Sequence, residues 1–422
     1  MRILISAVGS RGDVVPYTSV GAELRKAGHT VTIAAHPDYA PLVTEAGLQV
    51  HPMPGDLGVL LDLPERSTPA YQAGRVSRLT LLLRQAAHAT LDAAANADVL
   101  LMNGSAPFGY DIAEALGIPS AGLYCQPMTP TSSFPPIVLH SARSWGPRGN
   151  RILGEIGLRS MIPFHRATAE LRRELGLPRR SVRATAARQA AQEWPILHGY
   201  SPAVLPRPAD WRPGLDVVGY WWPKAVAWEP PAELASFLAA GPPPVLVGFG
   251  SMAGGHGARL MPVVVAALRS AGVRGIVQAG RAGLGSTDPA GHGVDYGSDI
   301  LAVGAVPHEW LFPRLAAIVH HAGSGTTGAT LRAGVPSVPT PVFADQPLWS
   351  RRLVELGCAP EVIPFRTISS SRWAAAIRTA VGDPSYRRAA QRMAQRLEAE
   401  DGVSAVVEMV GRFEADRIGE PR

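Results

Sequence analysis

Two glycine-rich turns in the second half of the chain carry residue types suited to holding a phosphate. The first is Gly248-Phe249-Gly250-Ser251; the second is His321-Ala322-Gly323-Ser324-Gly325-Thr326-Thr327. Glycine lets a backbone come close to a ligand, and free N–H groups at a helix start attract an anion. Ser251 and Thr326 add hydroxyls, and His321 adds a hydrogen-bond donor or a charge. Either turn alone is a tight strand-to-helix connection that favours Gly and Ser on steric grounds. Two of them on one sheet edge outline a diphosphate site. Asp345-Gln346 follows a strand-like run, 339–343, and opens a helix. Asp345 is there either as a helix N-cap or, with Gln346, as a pair for vicinal hydroxyls, in which the carboxylate accepts and the amide both donates and accepts. Asp13 closes the turn Gly9-Ser10-Arg11-Gly12-Asp13. It is either a helix cap or, facing the phosphate turns across a cleft, a base for an acceptor hydroxyl.

Other chemistries are disfavoured. Neither glycine turn continues into the Gly-Lys-Ser/Thr of a P-loop, and the N-terminal turn lacks the third glycine of a dinucleotide fingerprint. The histidines show no HExxH or similar metal spacing, and there is no Gly-x-Ser-x-Gly elbow. Cys125 and Cys358 lie far apart with no metal-ligand spacing, so they read as buried thiols.

The elements that must position these residues are α/β. Ile3 to Val8 reads as a strand, Tyr17 to Ala27 as a helix stopped by Gly28, and Val31 to Ala35 as the next strand. Such a βαβ opening implies a parallel sheet with a right-handed crossover. The order recurs as strand Asp98 to Met102 and helix Tyr110 to Leu116. It recurs again as strand Ala317 to His320 and helix Thr326 to Ala333. Two doubly wound domains follow, of the Rossmann-like kind. Prolines punctuate residues 202–231, and Pro242-Pro243-Pro244 precede a buried-looking strand, Val245 to Phe249. The expected division is therefore 1–216, a linker 217–243, 244–385, and a tail 386–422 that is helical from Tyr386 to Phe413.

At 422 residues the chain is long enough for two domains, and no apolar run approaches a membrane span. The N-terminus reads better as a strand running into a turn than as a signal peptide, so a cytoplasmic location is expected. Net charge is +6, almost all of the positive charge being Arg; Lys26 and Lys224 are the only lysines. That bias is weak evidence for nucleic acid, and none is expected as a partner. Arginines crowd residues 143–188 against Glu155, Glu170 and Glu174. They read as a solvated helix face, with weak contact to a membrane surface or to an anionic acceptor as the alternative.

With its motifs assembled, the sequence resembles the GT-B nucleotide-sugar glycosyltransferases, in particular the bacterial sterol glucosyltransferase and glycopeptide-antibiotic branch. The residues that carry the likeness are Gly9 to Pro16, Tyr200-Ser201-Pro202, Val218 to Trp221, Val306 to Pro313, His320 to Pro336 and Phe343 to Pro347. The resemblance implies an inverting transfer from a UDP- or TDP-sugar between two Rossmann-like domains, without a metal or other cofactor. It implies Asp13 as the base, and Ser251, His321, Gly323, Gly325 and Thr326 as the diphosphate site. Asp345 and Gln346 would hold the sugar, the backbone around Val306 would meet the nucleobase, and Ser10 and Arg11 would form an additional donor loop. The last helix would cross back to the first domain. Plant members place His where Asp13 stands, and the carboxylate that orients it becomes Asn103 here. Ala305 and Ala329 replace their base-stacking Trp and ribose-binding Glu, which leaves UDP and TDP open. The acceptor is expected to be a small hydrophobic molecule held by residues 52–85 and 125–165, and the protein to be a monomer or weak dimer. Two other readings stay open: an epimerase or hydrolase on the same fold, and a catalytically silent homologue that activates a partner. The second should have lost its donor residues, yet His321, Asp345 and Gln346 are present.

Overall fold

The computed structural model describes residues 1–61, 69–224, 228–252, 254–285 and 296–419. Parts of the expected acceptor segment (62–68), linker (225–227) and tail (420–422) therefore lie outside the described residues. Among the described residues, twelve parallel strands form two sheets. The first contains β1 (Arg2–Ser6), β2 (Thr30–Ala35), β3 (Gln49–Pro52), β4 (Val99–Met102), β5 (Ser120–Tyr124), β6 (Ile196–His198) and β7 (Leu215–Val217). Its order is β3-β2-β1-β4-β5-β6-β7. The second contains β8 (Val245–Gly248), β9 (Gly275–Gln278), β10 (Ile300–Val303), β11 (Ala317–His320) and β12 (Ser337–Pro339), in the order β10-β9-β8-β11-β12.

The short, continuously apolar strands explain this topology. All four residues of β4 and of β8 are buried, as expected when helices cover both faces of a parallel sheet. In each sheet the strand order reverses beside its first strand, between β1 and β4 and between β8 and β11. The crevice at the carboxyl ends of such a pair is where open α/β sheets bind ligands. Both candidate phosphate turns follow the strands flanking the second crevice, and Asp13 and Asn103 follow those flanking the first.

Three segments differ from the reading of the sequence. The run 339–343 is not a strand: β12 ends at Pro339, and Pro341 has no N–H to extend the ladder. The tail is two helices, Pro384–Glu398 and Gly402–Gly419, with a break at 399–401. Val406, Met409 and Val410 of the second bury themselves with Val20 and Leu24 of the helix Val15–Lys26. The arginine-rich stretch is not a single solvated face. Arg172 is buried and bonds Asp111 and Glu114, while Arg180 donates twice to Glu114, at 2.8 and 2.6 Å. Those acids come from the helix Gly109–Leu116, outside the stretch.

The two halves pack through side chains as well as through the chain itself. Leu348, Trp349 and Leu353 of the helix Gln346–Glu355 join Tyr200, Val204 and Trp211 in one cluster. Leu57 joins the core of the second sheet.

Candidate active site

Asp13 is set by a turn that only glycine can make. Gly9 has φ +140°, and a Cβ there would lie 2.4 Å from Asp13 Oδ2. The Ser10 N–H and Oγ–H donate to that same oxygen at 2.8 and 2.9 Å. Among the described residues, the other oxygen, Oδ1, has only a long contact from Gln126 Nε2, 3.5 Å. The carboxylate does cap its own short turn, Arg11–Asp13, and it does so with one oxygen. Packing strips water from Asp13, which raises its pKa despite the Ser10 and Gln126 donors. Asn103 spends its amide on the strand end: it donates to Val8 O at 2.7 Å and accepts from Val8 N at 3.3 Å. It thereby pins the start of the Asp13 turn.

Across from this turn, the helix Ser324–Arg332 begins at Gly323 with no side-chain cap. Its first N–H groups are open to an anion, and the helix dipole adds to the attraction. The residue before, Ala322, sits at φ 60°, in the left-handed region. The His321 ring lies between the two glycine turns: a Cβ on Gly323 would be 2.6 Å from its Nε2, and one on Gly250 would be 3.6 Å from its Cε1. Its Nδ1 is buried without a partner among the described residues, as is Thr327 Oγ1. Burial, helped by neighbouring His308, pushes the His321 pKa down to about 4. His321 therefore offers a neutral N–H, not a charge. Ser251 and Thr326 are half-buried on the two turns, and Gly325 is exposed. Arg11 reaches far enough across to help hold the His308 pKa near 4, after burial. Ser10, by contrast, has committed its hydroxyl proton to Asp13. The Val306 side chain is buried in the core of the second half, and Ala305 beside it is exposed.

Asp345 occupies an N-cap position, but its carboxylate does not cap. Instead Oδ2 accepts the Trp349 indole N–H at 2.5 Å. Gln346 Oε1 accepts from Val342 N and Phe343 N at 2.8 and 3.1 Å. The amide thus has only its NH₂ left for a ligand, in place of the double role read from the sequence. Burial raises Asp345 to about 6, and the charge of Asp13 adds to the shift. The two carboxylates are therefore close enough for one charge to act on the other. Ala344, at φ 57°, donates its N–H to His140 Nδ1 at 3.0 Å, so a loop of the first half touches the Asp345 turn.

Gln126, His140 and Trp349 were not singled out by the sequence. Gln126 had one signal, its place just past the end of β5 on the ligand-binding edge. Trp349 reads as an ordinary core residue. His140 carries no local pattern at all.

Two parallel sheets whose crevices open on one cleft, one lined by a carboxylate and the other by an uncapped helix start, define the architecture of a GT-B glycosyltransferase. Known proteins agree. Residues 3–135 match the model of the glycosyltransferase family 28 N-terminal domain. Residues 294–412 match that of the erythromycin biosynthesis protein CIII-like C-terminal domain. The chain is 35% identical over 419 residues to the O-mycaminosyltylonolide 6-deoxyallosyltransferase of Streptomyces fradiae, covering 96% of this chain and 95% of that one. It is 33% identical over 430 residues to a sterol 3-beta-glucosyltransferase of Arabidopsis thaliana, covering 96% of this chain but 64% of the plant protein. A solved calicheamicin glycosyltransferase superposes with a TM-score of 0.68 at 18% identity, over 99% of both chains. The kitacinnamycin glycosyltransferase gives 0.67 at 20%, over 98% of this chain and 97% of that one. This chain belongs to the UDP-glycosyltransferase superfamily of enzymes.

Proposed function

We propose that the protein moves a hexose or deoxyhexose from a UDP- or TDP-sugar to a hydroxyl of a small hydrophobic acceptor, with inversion and without a metal. The acceptor oxygen bonds C1 of the sugar as the bond from C1 to the diphosphate oxygen breaks. Asp13 takes the hydroxyl proton, and the electron pair leaves with the diphosphate. One observation carries the reading: a carboxylate with one oxygen nearly free and an uncapped helix start sit at the switch points of their own sheets, opening on the same cleft. Negative charge grows on the leaving group, so donors already fixed there stabilise the transition state most. His321, Thr326, Ser251 and the N–H groups at Gly323 to Thr326 are such donors. The names of relatives support the substrate classes: a sterol and a macrolide glycosyltransferase, and solved complexes with dTDP and with spinosyn aglycone. Mass spectrometry of products from mixed UDP- and TDP-sugars and apolar acceptors tests the reading. No glycosylated product from any donor would refute it.

Turnover should survive EDTA. The helix start and neutral His321 supply the stabilisation that a divalent cation would otherwise give. Loss of turnover in EDTA, restored by Mg²⁺ or Mn²⁺, would sink metal independence.

The helix Gly146–Arg159 suits weak contact with an anionic membrane. Its inner face packs Gly154 and Gly157 against Pro130 and Val138 of the acceptor-side loop. Its outer face shows Ile152 and Ile156, 57% and 52% exposed, below Trp145 and beside Arg148 and Arg159. Apolar side chains flanked by arginines match the acyl and phosphate layers of a bilayer. The protein should sediment with phosphatidylglycerol vesicles at low salt, and the double change Ile152→Ser, Ile156→Ser should release it. Wild type that stays in the supernatant would refute the contact.

A further inference from the structure

We propose that Trp349 is the positioning residue of the sugar-binding carboxylate: its indole N–H holds Asp345 Oδ2, so that Oδ1 alone meets the donor sugar. The proposal rests on the reading of Asp345 as a sugar contact.

Trp349 is fully buried one helical turn after Asp345, and its edge meets Tyr200 with ring centroids 5.2 Å apart. Tyr200 belongs to the first half of the chain, so the indole is packed where the halves meet. The 2.5 Å bond is charge-assisted when Asp345 is ionised. With Gln346 Oε1 also occupied, the pair presents one acceptor oxygen and one NH₂ donor. A carboxylate free on both oxygens could take two hydroxyls side by side; here the Trp349 donor holds Oδ2 and turns the sugar toward Oδ1. The sugar must then offer one hydroxyl to Asp345 Oδ1 and one acceptor oxygen to Gln346 Nε2. That pattern tolerates a deoxyhexose, since only one hydroxyl at this end must donate.

The same bond sets the working pH of the site. Asp345 is raised to about 6 by burial, and the Trp349 donor counteracts that rise. Among the described residues, the other titratable groups beside it are Asp13, whose charge raises it, Cys125, held at about 12 and therefore uncharged, and His140 on the neighbouring Ala344 N–H, which burial lowers. Without the indole N–H, Asp345 titrates at higher pH. Sugar affinity, which needs the ionised acceptor, is lost as pH falls through that value.

The test compares affinities for the nucleotide sugar and for the matching nucleotide diphosphate, by calorimetry from pH 5 to 8. Trp349→Phe keeps a ring against Tyr200 and deletes the donor. Site-specific replacement of Trp349 by β-(3-benzothienyl)alanine keeps the whole bicyclic shape and covers the case in which Phe leaves the protein unfolded. Either change should cut the extra affinity due to the sugar about tenfold, leave the diphosphate affinity unchanged, and move the acidic limb to higher pH. Asp345→Asn is run in parallel. If it loses the sugar increment while the Trp349 replacements keep both the increment and the limb, the positioning role is wrong. If Asp345→Asn keeps the increment, the sugar-contact reading itself falls, and the Trp349 proposal with it.

Discussion

Asp13→Asn should lower kcat by about a hundred- to ten-thousand-fold, the range general-base catalysis contributes, with little loss of stability or of donor affinity. The local geometry makes the change clean. Asparagine presents a carbonyl oxygen where Oδ2 now accepts from Ser10 N and Oγ, so the turn at Gly9 keeps its closing bonds. The amide nitrogen then replaces Oδ1, the oxygen with only the distant Gln126 contact, and it cannot take a proton from the acceptor. The raised pKa of Asp13 suits the role, because a stronger base gains more from the transfer. Paired measurements of kcat and thermal midpoint separate the two uses of the carboxylate. A variant that melts early yet turns over at the wild-type rate would mean that Asp13 only caps its turn.

His321→Ala should remove most activity and weaken binding of UDP and TDP by roughly tenfold or more, as expected for a lost hydrogen bond to a charged group. The loss in kcat should exceed the loss in affinity, because charge on the diphosphate grows toward the transition state. His321 stays neutral down to about pH 4. Its contribution should therefore be flat across pH 6 to 8, where an ordinary histidine would titrate. Calorimetry with each diphosphate checks the first claim, and the pH profile of kcat checks the second. Unchanged diphosphate affinity would remove His321 from the site.

What could be read from the sequence follows from what is local. The buried strands β1, β4, β8 and β11 appear as short apolar runs, and the turns after them carry glycines and hydroxyls that a strand-to-helix connection needs. Asp13 and Asp345 stood out because each closes such a turn. Their states did not, because those depend on partners that sequence spacing does not mark. The oxygen that Trp349 occupies is decided by a helical turn wedged under Tyr200, some 150 residues earlier in the chain. Arg172 looked solvated because its acids, Asp111 and Glu114, lie on another helix. The tail read as a single helix because its helical pattern runs on across a break at 399–401.

That break sits where the chain returns to the first half, beside the outgoing strand of polypeptide. Trp221 Nε1 donates to Gly402 O at 3.0 Å, Ser201 Oγ donates to Glu400 Oε1 at 2.5 Å, and a Cβ on Gly402 would lie 2.4 Å from Gly219 O. Two crossings held edge to edge behave as the paired knuckles of a door. They leave rotation about the line through them and resist twisting or sliding across it. If the halves close during the proposed transfer, that motion should follow a single arc, bringing the two crevices together in the same register each time. Gly402 is the pin of that joint: a side chain there would pry the knuckles apart and let the halves meet askew.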